Sequence, residues 1–132
     1  MSNIIETSTT IHAPAAKVWE VFVNPKVTHK VGIEYVSDWQ VGSPVSFKLG
    51  DNQIAKGKIL AVEPQQRWQH SLLSPDGTTV VSTVTYLLQA DGEQTILTGH
   101  EELAGPLGYA DDTSALENWQ ATLAVIKRAA EA

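Results

Sequence analysis

The chain is predicted to be an antiparallel α+β domain, a sheet packed against one long C-terminal helix. Three observations predict this. From Ser114 to Ala132, Leu116, Trp119, Leu123, Ile126 and Ala130 recur at steps of three and four, which places them on one stripe of a helix. Between Val45 and Leu103, runs of period-two alternation are separated by turn residues, the pattern of strands joined in sequence. Finally, 42% of the 132 residues are hydrophobic, enough for one core. An apolar helical stripe carrying a Trp needs an apolar surface of similar length, and the strand-rich remainder supplies one as a sheet.

In chain order, Ile5, Thr7, Thr9 and Ile11 alternate with polar residues as a first strand. Pro14 suits the first turn of a helix, and Val18, Trp19, Phe22 and Val23 share one face of a short helix over 14–23, closed by Asn24-Pro25. Residues 26–38 have no clear period and read as a further helical turn and a loop. Five strands follow, at 45–49, 54–62, 67–72, 80–88 and 94–103, making about six in all. Gly50-Asp51-Asn52, Glu63-Pro64-Gln65-Gln66, Pro75-Asp76-Gly77 and Ala90-Asp91-Gly92 punctuate them. Gly105-Pro106-Leu107-Gly108 leads into the last helix. Its start matches a capping box, Ser114 with Glu117, and Lys127 and Arg128 complement its negative end. Residues 1–132 read as a single domain.

The net charge of −6 argues against nucleic acid and against an anionic membrane as partners. No apolar run approaches the ~20 residues of a membrane span, and MSNIIETS does not read as a signal peptide, so a cytoplasmic location is expected. Without cysteine, thiolate chemistry is excluded. The motifs for nucleotide binding, for serine hydrolysis and for zinc proteolysis are absent. His12, His29, His70 and His100 fall one per element, so neither a metal nor a cofactor is expected.

The candidate site is the inner face of the sheet. His70 shares a strand face with Trp68 and Leu72, and reads either as a ligand contact or as a core histidine. Glu101 falls in register with Gly99 and Leu103. It either points at the helix, where its carboxylate needs a partner, or reaches solvent at a strand end. Tyr86 faces inward with Val84 and Leu88; Trp39 closes a cavity mouth or plugs the sheet edge. Ala55, Gly57, Ala61 and Gly99 leave free volume beside Trp68, admit the helix, or mark bends. His100 faces outward.

The order of Ile11-His12-Ala13-Pro14, Val18-Trp19 and Phe22 resembles the opening of the SRPBCC superfamily, also called START-like or birch-pollen-allergen-like. Ser37-Asp38-Trp39, Val41-Gly42-Ser43-Pro44-Val45, Gly57, Glu63-Pro64, Val84-Thr85-Tyr86, Thr95 and Asn118-Trp119 resemble its AHSA-like branch, named after the activator of the heat-shock protein 90 ATPase. Asn118 stands where the branch usually has glycine. The resemblance implies a helix-grip fold, a curved sheet wrapped around the C-terminal helix with a hydrophobic cavity between them. The expected function is binding of a small hydrophobic ligand, aromatic or lipid-like, by Trp39, Phe47, Trp68, His70, Tyr86, Gly99, Glu101, Leu116, Trp119 and Leu123. The alternatives are a co-chaperone-like interaction module and a cyclase, dehydratase or hydrolase using His70 and Glu101 as acid and base. No catalytic constellation names a reaction. A homodimer and a chaperone stay open as partners.

Overall fold

The computed structural model describes residues 4–24, 27, 33–49, 52–74, 76–103 and 112–131. They form seven strands and two helices: β1 Ile4–Ile11, α1 Ala15–Val23, β2 Ile33–Val36, β3 Pro44–Leu49, β4 Asn52–Glu63, β5 Arg67–Leu73, β6 Val80–Asp91, β7 Gln94–Leu103 and α2 Asp112–Glu131. The strands make one antiparallel sheet in the order β1-β7-β6-β5-β4-β3-β2. A meander runs from β2 to β7, and β1 returns beside β7. The helix-grip expectation therefore holds.

β2 is the strand that raises the expected six to seven. At four residues it is too short to display a period, and it gains its state by pairing with β3, Tyr35 opposite Phe47. α1 has Pro14 at its N-cap, where a missing N–H is harmless. The two-residue turn between β6 and β7 has Gly92 at φ +64, in the left-handed region that glycine enters freely. α2 begins at Asp112, two residues before the expected start. The side chains of Ser114 and Leu116, hence the capping box, lie outside the described residues, as does the Gly50-Asp51 turn.

Curvature comes from irregular pairing. The register shifts between Phe47 and Lys48, between Ile59 and Ala61, and between Leu72 and Leu73. Such bulges bend a strand and increase its twist. At Gly57, a side-chain carbon would overlap the Ser71 carbonyl of β5. That glycine thus admits a neighbouring backbone and leaves no free volume. Among the described residues, α2 lies mainly along β1 and α1, burying Trp119, Leu123, Ile126 and Ala130. Its last turns are pinned to the end of β1: the Lys127 ammonium donates to the Thr10 carbonyl at 2.6 Å, and the His12 N–H donates to the Glu131 carboxylate at 2.9 Å. Among the described residues no helix is long and apolar enough to cross a membrane.

Candidate functional site

Alternation places Trp68 and His70 of β5, Tyr86 of β6, and Gly99 and Glu101 of β7 on the inner face. Trp68 pairs with Tyr86, which pairs with Gly99; His70 pairs with Val84, which pairs with Glu101. Trp68 stacks on Tyr86 at 5.2 Å and 14° between ring planes, and lies 4.8 Å from the His70 ring at 30°. Rings from other elements close round it: Phe22 of α1 at 5.5 Å, Tyr35 of β2 at 5.9 Å, and Trp39 of the β2–β3 loop at 4.8 Å. Phe47 of β3 sits 5.5 Å from Tyr35 and 4.9 Å from His70. Trp68 is completely buried, so the space that small residues promised beside it is taken by rings.

The polar atoms on this face are few. His70 Nδ1 lies 2.9 Å from the Ser71 carbonyl, which makes it the protonated nitrogen of a neutral ring. Burial pushes its pKa down to about 4, with the Ser71 contact opposing the shift. The Tyr35 and Tyr86 hydroxyls are hydrogen-bonded to each other. Burial pushes Tyr35 up to about 12, and burial, the neighbouring Tyr35 and the charge on Glu101 all raise Tyr86, so both stay protonated. The Trp68 Nε1–H is buried without a hydrogen-bond partner among the described residues, as is the Ser82 hydroxyl.

Glu101 does point at the helix: its Oε1 accepts the Trp119 Nε1–H at 2.9 Å. Trp119 lies directly over Gly99, where any side-chain carbon would overlap its six-membered ring. Gly99 is therefore a helix seat. His70 and Glu101 flank Val84 from opposite sides, two strands apart as the meander predicts, or about 10 Å between backbones. Each is engaged by another group, and the shift at His70 is that of burial.

Of the ten expected residues, Trp39, Phe47, Trp68, His70 and Tyr86 meet in one aromatic cluster, and Tyr86 also meets Trp119 at 5.5 Å. Gly99, Glu101 and Trp119 form the adjoining helix seat. Leu123 instead walls a recess of about 160 Å³ between β1 and α2, with Thr7, Thr9, Ala124 and Lys127. Sequence reading missed Tyr35, which lies in a stretch without a period. It assigned Phe22 to a helix face without its contact to Trp68, 46 residues away; no local signal reports such a contact. His100 faces outward and meets Glu6 at 2.8 Å, directly across from it on β1. Among the described residues no three His, Cys, Asp or Glu side chains come together to hold a metal.

Known proteins place the chain. It resembles CalU16 from Micromonospora echinospora (24% identity, 96% of this chain and 75% of that one, TM-score 0.76). It also resembles DynU16, described as a putative protein in the dynemicin biosynthetic locus (18% identity, 97% and 47%, TM-score 0.82). The chain thus spans about half the length of DynU16. The Aha1 dimer from Colwellia psychrerythraea is similar at 16% identity, over 97% of this chain and 96% of that one, with a TM-score of 0.77. These identities establish a shared fold. No curated protein matches the chain. The family described as Activator of Hsp90 ATPase homolog 1-like protein matches residues 12–131, nearly the whole chain, and the chain belongs to that family.

Proposed function

We propose that the chain binds a small apolar ligand, aromatic or lipid-like, on the inner face of the sheet beside α2. The observation that carries this reading is the composition of that face. Trp68, His70 and Tyr86 form a row of rings across adjacent strands, and the polar atoms among them are uncharged. An apolar wall with a few directed polar groups is what small-molecule sites present. Trp39, Phe47, Glu101, Trp119 and Leu123 surround the row or adjoin it, and Leu116 shares the α2 stripe in sequence. The test is a thermal-shift and tryptophan-emission screen against aromatic compounds and fatty acids. A ligand that binds only the folded protein raises the melting temperature as its concentration exceeds Kd. A panel with no shift and no emission change removes the reading.

A co-chaperone-like interaction module is the second reading. It is supported by the family description and by exposed apolar side chains on β6: Val80, Val81 and Leu87 are 46%, 42% and 40% exposed. Stimulation of an Hsp90-type ATPase by the wild type, lost in Val81→Lys/Leu87→Lys, supports it; no stimulation by the wild type removes it. A homodimer, as one relative forms, is read by light scattering: twice 14.3 kDa supports it and 14.3 kDa removes it.

A further inference from the structure

Trp39 holds an unusual conformation. Its φ is +60, in the left-handed region that a bulky side chain rarely enters. The other non-glycine residue with positive φ among the described residues, Gln65, sits in the tight β4–β5 turn, where such angles are routine. The β2–β3 loop is tied to β4 beyond Trp39: the Gly42 N–H donates to the Ile59 carbonyl and the Ile59 N–H to the Ser43 carbonyl, both at 2.8 Å. At Trp39 itself the bond is local, its N–H donating to the Ser37 hydroxyl at 3.0 Å. The side chain is only half-buried. It nevertheless lies 6.4 Å from Trp19 and 4.8 Å from Trp68, in ring-to-ring contact with both. Trp68 is the residue whose buried Nε1–H lacks a partner among the described residues.

We propose that Trp39 is the plug of an indole-sized slot, and that the slot takes a flat, uncharged aromatic molecule whose hydrogen-bond acceptor replaces the Trp39 ring and accepts the Trp68 Nε1–H. This rests on the ligand-binding reading above and names the class of ligand. An indole nitrogen is a donor only, so the complementary group must be an acceptor. Buried donors ordinarily find partners, and one left open beside a strained, half-exposed ring marks where a partner is missing. The slot selects flat molecules because the ring it holds is itself flat and lies between two others, Trp19 at 6.4 Å and Trp68 at 4.8 Å. It selects neutral ones because the row is uncharged, the nearby Glu101 carboxylate is already engaged by Trp119, and a desolvated ion would have no free counter-charge. A loop movement that carries Trp39 outward and relaxes its backbone φ releases a conformation that is already unfavourable, which lowers the cost of opening.

Quinoline and naphthalene provide the test. They share shape and area, and only quinoline carries a ring-nitrogen acceptor. Binding is followed by the indole N–H resonances of the four tryptophans in nitrogen-edited NMR. Three results are expected. Quinoline binds more tightly than naphthalene by about three- to tenfold, the worth of one neutral hydrogen bond. It moves the Trp68 indole proton downfield, which naphthalene does not. Trp39→Gly, and Trp39→Asn as a second residue tolerant of positive φ, bind quinoline at least about tenfold more tightly than the wild type, since the plug no longer competes. Equal affinity for the two probes, or an unmoved Trp68 resonance in the bound state, overturns the acceptor assignment. Affinities unchanged by both Trp39 variants overturn the plug. Fatty acids or other apolar compounds binding while quinoline does not would sink this inference alone; no binding by any compound in any variant would sink the broader reading with it.

Discussion

The half of the sheet formed by β6, β7 and β1 pairs without a register shift, whereas the half from β3 to β6 shifts at each successive pairing. The two halves hold their contents differently. On the regular side, one large residue, Trp119, sits in the space left by one missing side chain, Gly99, and its N–H is satisfied by Glu101. On the bulged side, rings from one helix, one loop and three strands crowd round Trp68, whose N–H is unsatisfied among the described residues, beside a tryptophan with a strained backbone. A seat whose polar groups are all paired is built for permanence. A cluster that tolerates an open donor and local strain is poised to exchange one contact for another.

The largest way to break this comparison is Trp119→Ala. Emptying the seat should cost about 3–5 kcal/mol in urea-induced unfolding, as large core truncations do. A cost below about 1 kcal/mol would mean that α2 is not held there. The bulged side offers the next largest effect, through pH. His70 binds its proton at about 4 when folded and near 6.5 when unfolded. The unfolded state therefore binds more protons in that window, and stability present above pH 6.5 is lost as pH falls towards 4. The loss reaches about 3 kcal/mol at most. Denaturation curves across the window should show the slope in the wild type and its reduction in His70→Gln; identical slopes would remove His70 as the buried titrating group.

Gly99→Ala tests the fit of the regular side. The added methyl meets the Trp119 ring, which can yield only by giving up its bond to Glu101, so a cost of about 1–3 kcal/mol is expected. Free accommodation of alanine, by calorimetry, would contradict the seat. The smallest effect compares the halves directly. Trp119→Phe removes a satisfied N–H and strands the Glu101 carboxylate, while Trp68→Phe removes an N–H that had no partner. Both lose the same ring area, so Trp119→Phe should be worse by about 1–2 kcal/mol. Equal costs would show that the Trp68 donor is satisfied after all.

The regular side was the more legible in sequence. Leu97, Gly99, Glu101 and Leu103 keep strict alternation, and Trp119 sits on a clean helical stripe, so their meeting face could be read from period alone. Even there, three readings of Gly99 were open, free volume, a close helix or a bend, because a missing side chain looks the same in sequence in each case. Tyr35 was not legible, since a four-residue edge strand carries too little pattern. Trp39 was recognised as a residue at a mouth or an edge, but its left-handed backbone was not, because tryptophan has no preference for that region.

By itself, then, the sequence determined every element but β2, their order, and which side of most strands turns inward; past its bulge, β4 turns Val62 inward in place of the expected Ala61. Hydrophobic period and turn chemistry are local, and a hairpin meander leaves little freedom in how neighbouring strands pair. Tertiary structure alone decided that Trp119 fills Gly99 and pairs with Glu101, that Phe22 and Tyr35 reach Trp68, and that His70 is neutral. It also decided that the Trp68 donor is left open in the cluster that Trp39 joins. These depend on which distant groups arrive together and how much water they exclude. A side chain's partner, charge and strain are properties of that enclosure, which no stretch of the chain contains on its own.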